Sequence, residues 1–309
     1  VRRVIDGCEQ RRSYSICSRV GTNPRIGVRE VPGGVFSEWL VHRVSVGDDI
    51  EVHPPTGSFT ADPSVTARHV LIAAGSGITP VLSITASVLA QSNSRVILLY
   101  GNRRSSTVMF ADELADLKDA YGPRLQLVHV LSRESRGAEL FDGRLDRDRI
   151  RTLLRFLVPV HTIDHFWLCG PFGMVTAAQQ AVADFQVAAD RVHRELFFVE
   201  DVEPPRATRS ETTTSGPTSA VTIVLDGASS TMVLPRDNSI LDASQRFRDD
   251  LPFACKGGVC GTCRAKITDG AVQMRRNYAL EPDAVDAGFV LSCQTFPITD
   301  TVTVDFDAR

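Results

Sequence analysis

The stretch Cys255-Lys256-Gly257-Gly258-Val259-Cys260-Gly261-Thr262-Cys263, answered downstream by Cys293, holds four of the seven cysteines in the chain. C-x4-C-x2-C plus one distant cysteine is the plant-type spacing for a 2Fe-2S cluster, in which thiolates hold two irons. Gly257, Gly258 and Gly261 let the backbone fold tightly over an inorganic core without Cβ clashes. The competing reading is a zinc knuckle. Zinc sites pair C-x2-C with a second C-x2-C or with histidines, and no histidine follows His193. A 2Fe-2S centre carries one electron at a time, near about −400 mV, and does no substrate chemistry. The metal ligands are therefore Cys255, Cys260, Cys263 and Cys293, and the rest of the chain has to supply electrons.

At 309 residues the chain is long enough for two or three domains. A net charge of −3 with interspersed signs gives no nucleic-acid footprint. Cys8, Cys17 and Cys169 show no disulfide-like pattern, and loose thiols beside a thiolate-held cluster suit a reducing cytoplasm. Residues 70–94 carry no charged side chain, which is long enough to span a bilayer. Gly75, Gly77, Pro80 and recurring Ser and Thr interrupt that run, so a buried strand, turn and helix are expected, with no membrane partner and no signal peptide. The chain starts at Val1 rather than Met, the mark of a fragment or of an unusual start codon.

Residues 1–62 read as β-rich, with strands at 12–17, 25–31 and 49–52 and a short helix at 35–41. Residues 63–201 switch to apolar strands alternating with helices, the pattern of a parallel sheet covered on both faces. The strands fall at 70–74, 95–100, 125–131, 166–169 and 193–198. The helices begin near Pro80 and at 108–120, 144–157 and 174–185. Residues 202–219 carry almost nothing to bury and read as a flexible linker. In 220–309, runs at 221–225 and 231–234 flank Asp226-Gly227, a hairpin signal. Ser239 starts a helix to about Arg248, and strands at 265–268 and 301–306 follow the cysteine loop.

Three motifs bear on cofactors. Arg12-Ser13-Tyr14-Ser15 offers a guanidinium for phosphate and an aromatic ring for stacking, on one face if the segment is a strand. Gly34-Val35-Phe36-Ser37 opens a helix, whose free N–H groups suit a pyrophosphate. Gly75-Ser76-Gly77-Ile78-Thr79-Pro80 follows a buried strand and also opens a helix, while Cys169-Gly170-Pro171 ends a later strand and faces the same crevice. Arg103 and Ser132-Arg133 follow neighbouring strands and offer a bidentate clamp for a 2′-phosphate; ordinary solvated arginines are the alternative. Glu195 and Phe197 close the sheet domain.

In that order, these motifs resemble the ferredoxin–NADP reductase superfamily. Arg276-Asn277-Tyr278-Ala279-Leu280-Glu281, Val290-Leu291-Ser292-Cys293-Gln294, Tyr100-Gly101-Asn102-Arg103 and Leu131-Ser132-Arg133-Glu134 narrow the likeness to the reductase components of phenylacetyl-CoA epoxidases. The resemblance covers essentially the whole chain. It implies a multidomain α/β and β protein: a partial flavin-binding β-barrel, a parallel-sheet nucleotide-binding domain and a β-grasp 2Fe-2S ferredoxin domain. It implies an enzyme binding FAD and NADPH, with NADH possible, that feeds a multicomponent oxygenase through transient docking. By the same resemblance Arg12, Tyr14 and Ser15 contact the flavin, Gly34, Val35, Phe36 and Ser37 its phosphates, and Thr79 and Cys169 flank the nicotinamide; independently of it, the Glu195 carboxylate with an aromatic two residues on is expected near the flavin. Gly75, Gly77, Gly170, Arg103, Ser132 and Arg133 line the pyridine nucleotide, and Phe197 lies near the flavin. Members of the family carry more residues ahead of the R-x-Y-S strand than the eleven found here. The expectation is a barrel with open edges that holds FAD weakly and a natural gene that starts upstream. The other readings are a reductase for a steroid hydroxylase or Rieske oxygenase, and a non-catalytic electron-carrier fragment.

Overall fold

A computed structural model describes residues 1–5, 8–55, 57–135, 137–198, 216–248 and 250–308. The chain divides into two compact units, one of residues 1–2 and 14–200 and the other of residues 3–13 and 201–309. Most of the expected linker, residues 202–215, lies outside the described residues, and its last two residues already belong to a strand.

Near the N-terminus, β1 (Arg2–Ile5) and β2 (Cys8–Arg11) pair into a two-stranded ribbon. The strands expected at 12–17, 25–31 and 49–52 do not form as ladders. Ile16 bridges Ile26, and Glu51 bridges Arg2, each as a single pair. An extended segment becomes a strand only where a neighbour satisfies its backbone groups residue after residue, and these segments have such neighbours at one position each. The expected helix is present as α1 (Val35–His42), anchored by buried Phe36 and Trp39.

The first unit is built on five parallel strands: β3 (Arg68–Ala74), β4 (Arg95–Asn102), β5 (Leu125–Leu131), β6 (His165–Pro171) and β7 (Val192–Phe198). They are ordered β5-β4-β3-β6-β7, so the sheet reverses direction of growth at β3. The crossovers are α2 (Ile78–Gln91), α3 (Ala111–Tyr121), α4 (Arg147–Leu157) and α5 (Phe172–Ala183). α2 is buried on nearly every side, from Ile78 to Leu89, which is why the run after Val70 lacks charge. Among the described residues no helix is long and apolar enough to cross a membrane. α4 begins three residues later than its apolar pattern suggested, because the Asp146 carboxylate accepts the Arg149 N–H at 2.9 Å and caps the helix there.

The second unit holds β8 (Thr218–Leu225) and β9 (Ala228–Pro235), turned by Asp226 and Gly227 at φ +54° and +72°. Both turn N–H groups donate to the Asp307 carboxylate, each at 2.8 Å. α6 runs only Ile240–Ser244, short of the expected Arg248, because the chain then turns to bring Leu251 and Phe253 into the core. β10 (Arg264–Asp269), β11 (Val272–Met274), α7 (Pro282–Asp286), β12 (Phe289–Leu291), β13 (Thr295–Pro297) and β14 (Thr301–Asp305) complete the unit. The five-stranded sheet is ordered β12-β10-β14-β8-β9, with β8 and β14 parallel near its centre. α6 packs Ile240 and Leu241 into the same core as Val221, Ile223, Val302 and Val304.

Candidate nucleotide and cluster sites

The crevice at the carboxyl ends of β3 and β6 is where an open parallel sheet accepts a nucleotide. β3 ends at Ala74, a tight turn covers Gly75–Gly77, and α2 starts at Ile78 with Pro80 in its first turn, where a missing N–H costs nothing. A Cβ on Gly77 would lie 2.2 Å from the Cys169 carbonyl oxygen, so the turn and the end of β6 approach as only glycine allows. Gly170 has φ +155°, and a Cβ there would meet Met174 Cε at 2.6 Å. Tyr100 Oη donates to the Gly75 carbonyl at 2.9 Å, and burial pushes its phenol up to about 12. Thr79 is buried, with Oγ1 donating to the Ser76 carbonyl at 3.1 Å.

Cys169 and Glu195 are register partners on β6 and β7. Cys169 is fully buried; burial, and then the neighbouring Glu195 charge, push its thiol well up. Ser15 Oγ donates to Glu195 Oε2 at 3.0 Å across 180 residues of chain. Burial raises the Glu195 carboxyl above the ordinary range, opposed by the Ser15 hydrogen bond. Phe197 packs against the core beneath. The structure therefore brings Ser15, Gly77, Thr79, Cys169, Gly170 and Glu195 together at one end of one sheet.

Tyr14 stacks on Phe36 with centroids 6.4 Å apart, and Phe36 meets Trp39 edge-on at 5.4 Å. Gly34 leads into α1, with Val35 exposed. The Ser37 hydroxyl, expected to face a phosphate, is committed to its own loop. It accepts the Val31 N–H at 3.1 Å and donates to the Gly34 carbonyl at 3.0 Å. Arg12 falls in the segment grouped with the second unit, and its guanidinium donates to the Arg11 carbonyl at 2.7 Å. The strand expected to carry Arg12 and Tyr14 does not form, since residues 12–15 are not in a ladder.

At the ends of β4 and β5, the Arg133 N–H donates to the Arg103 carbonyl at 2.8 Å and the Ser132 N–H to the Asn102 carbonyl at 2.9 Å. The two arginines are thereby adjacent and exposed, with Ser132 half-buried. Glu134 accepts from the Ser105 N–H and Oγ at 2.8 and 2.9 Å, fixing this loop pair. Sequence reading missed Arg29, whose Nη1 would lie 2.9 Å from a Cβ on Gly75. It carried no motif, only a place in an expected strand.

In the second unit, the four cysteines form two neighbouring pairs, Cys255 with Cys260 and Cys263 with Cys293. The paired thiol holds Cys255 and Cys263 below the usual thiol range, while the same partner, together with burial, raises Cys260 and Cys293. Among the described residues no three His, Cys, Asp or Glu converge as a single ion would require. Two thiol pairs fit two irons, and Gly258 and Gly261, at φ +79° and +69°, give the loop its tight path.

A nucleotide-accepting parallel sheet followed by a four-cysteine β module defines the class: an electron-transfer oxidoreductase with a 2Fe-2S centre. Residues 71–180 match the oxidoreductase NAD-binding domain, and residues 223–297 the 2Fe-2S iron-sulfur cluster binding domain. The chain is 40% identical over 310 aligned residues to the E component of the 1,2-phenylacetyl-CoA epoxidase of Escherichia coli, covering 99% of this chain and 86% of that one. It is 32% identical to the 3-ketosteroid-9-alpha-monooxygenase ferredoxin reductase component of Rhodococcus rhodochrous, covering 96% of this chain and 82% of that protein. The structure of a phthalate dioxygenase reductase, 20% identical, matches with a TM-score of 0.56 over 99% of this chain and 86% of its own. That likeness supports the fold. The chain belongs to the family of oxygenase reductases represented by the E component of phenylacetyl-CoA epoxidase, within the ferredoxin–NADP reductase superfamily. Its cofactors are NAD(P)H, FAD and a 2Fe-2S cluster, and it passes electrons to an oxygenase.

Proposed function

We propose that this chain is the NADPH-dependent reductase of a di-iron epoxidase acting on phenylacetyl-CoA, docking transiently with it in the cytoplasm. When bound, the nicotinamide supplies a hydride, FAD accepts two electrons, and the cluster passes them on singly. The Ser15–Glu195 hydrogen bond beside Cys169 is the observation that carries the reading. It supports the reading because Glu195, with its carboxyl pKa raised by burial, lies beside Cys169 at the end of the sheet that the nucleotide crevice occupies. Glu195 presents its carboxyl there, Ser15 orients it, and buried Cys169 and Thr79 exclude water. Gly75, Gly77 and Gly170 let the pyrophosphate approach the start of α2, and Arg103, Ser132 and Arg133 take the 2′-phosphate. Tyr14 supplies the stacking ring, the start of α1 at Gly34, Val35 and Phe36 the flavin phosphate contacts, and the four cysteines hold the cluster.

The test is stopped-flow reduction by NADPH, followed by turnover with reconstituted oxygenases. Flavin bleaching precedes the cluster signal, and Glu195→Gln slows the bleaching about 100-fold. Simultaneous signals, or an unchanged rate in the variant, would overturn these roles. The greater identity to the epoxidase component favours that acceptor over a steroid hydroxylase. Faster turnover with a 3-ketosteroid hydroxylase would reverse that choice. A purified chain lacking any flavin absorbance would favour the electron-carrier alternative.

A further inference from the structure

Lys256 sits between the ligand Cys255 and Gly257 with φ +51°, a left-handed conformation that a lysine rarely adopts and glycine takes without strain. Its side chain is tied down. Nζ donates to Asp242 Oδ1 at 2.7 Å and to Gln245 Oε1 at 2.6 Å, and lies 4.8 Å from the Phe253 ring centre. Asp242 belongs to α6, where Ser239 Oγ donates to its other carboxylate oxygen at 2.9 Å and accepts its N–H at 3.2 Å. The Lys256 carbonyl in turn accepts from Gln294 Nε2 at 2.8 Å, and Gln294 follows the ligand Cys293.

We propose that Lys256 is a positioning residue that clamps the cysteine loop to α6 on one side and to the Cys293 arm on the other. The clamp joins one ligand from each thiol pair to the same rigid helix. It fixes the spacing between Cys255 and Cys293 before iron arrives and slows iron loss afterwards. If the position required only the backbone conformation, glycine would serve better than lysine. The strain is accepted because the ammonium reaches Asp242 on α6 and Gln245 at its end.

The inference rests on the cluster assignment, so the experiment checks both, using the full 309-residue chain. Wild-type protein, reconstituted anaerobically and reduced with dithionite, must first give a rhombic EPR signal; its absence overturns the cluster reading itself. Bleaching of cluster absorbance under an iron chelator is then timed for Lys256→Met, Lys256→Gly, Lys256→Arg and Asp242→Asn. Loss of the clamp speeds iron release about tenfold in the Met, Gly and Asn variants, the scale expected of a residue that supports metal ligands. Lys256→Arg restores the wild-type rate within about twofold, and Lys256→Met combined with Asp242→Asn releases iron no faster than either change alone. Wild-type release rates in Lys256→Met and Lys256→Gly, or additive effects in the double variant, would overturn the clamp. A fall in the apoprotein's thermal midpoint in the Gly variant equal to that in the Met variant, without faster release, would reduce Lys256 to a fold-stabilising contact and also overturn it.

Discussion

His69 shows how a single buried group writes a pH dependence. It is almost fully buried, Trp167 Nε1 donates to its Nδ1 at 3.2 Å, and its Nε2 has no hydrogen-bond partner. Protonating Nδ1 would break the Trp167 bond and bury a charge. Burial, and then His165 nearby, accordingly bring the imidazole from 6.5 down to about 4. The folded pKa lies below the unfolded one, so this contribution to stability is present above 6.5 and lost as pH falls toward about 4. The total is about 3 kcal/mol at most. Gln can accept from Trp167 without titrating, so His69→Gln should flatten that acid limb in denaturant unfolding measured at stepped pH. Arg133 makes a second test at a single side chain. Arg133→Ala should raise the KM for NADPH about tenfold and leave that for NADH nearly unchanged, in steady-state assays with both nucleotides. Equal effects on both would remove it from 2′-phosphate recognition.

Among the helices and strands, the critical junction is where the β3–α2 turn passes the end of β6. Gly77→Ala sets a methyl 2.2 Å from a carbonyl oxygen that belongs to backbone, so the turn must move rather than a side chain. We expect a loss of about 3 kcal/mol in chemical denaturation, together with weaker nucleotide binding by calorimetry. The segment ahead of β3 behaves differently. Between β2 and β3 it carries isolated bridges in place of ladders, and Val31, Val35, Val41, Val46, Ile50 and Val52 are exposed. Few backbone pairs hold it, so residues 1–309 expressed alone should retain FAD at less than one per chain. Full occupancy, read from the flavin-to-protein absorbance ratio, would refute that expectation.

Across the full chain, two units with separate cores divide the labour. The first unit contains the nucleotide crevice, and the second supplies a thiolate set from the loop ahead of β10 and the short turn Ser292–Gln294. Removing one thiolate tests that division. Cys293→Ser should abolish the rhombic EPR signal while NADPH still bleaches whatever flavin is bound. Loss of both together would mean that the two units do not function separately.

Reading the residues in order was enough to find the ligand cysteines, the alternation that makes a parallel sheet and the Asp226-Gly227 hairpin. Each is set by covalent spacing, local periodicity or one residue's backbone preference. Chain-local patterns also located β5 and α1 closely. Folding was needed before Ser15 could meet Glu195, Gly77 touch the end of β6, the Ser37 hydroxyl turn inward and Lys256 reach α6. Those contacts join residues that no local period relates. They exist because strands far apart in the chain become neighbours in the sheet, and because buried polar atoms must find partners wherever packing puts them.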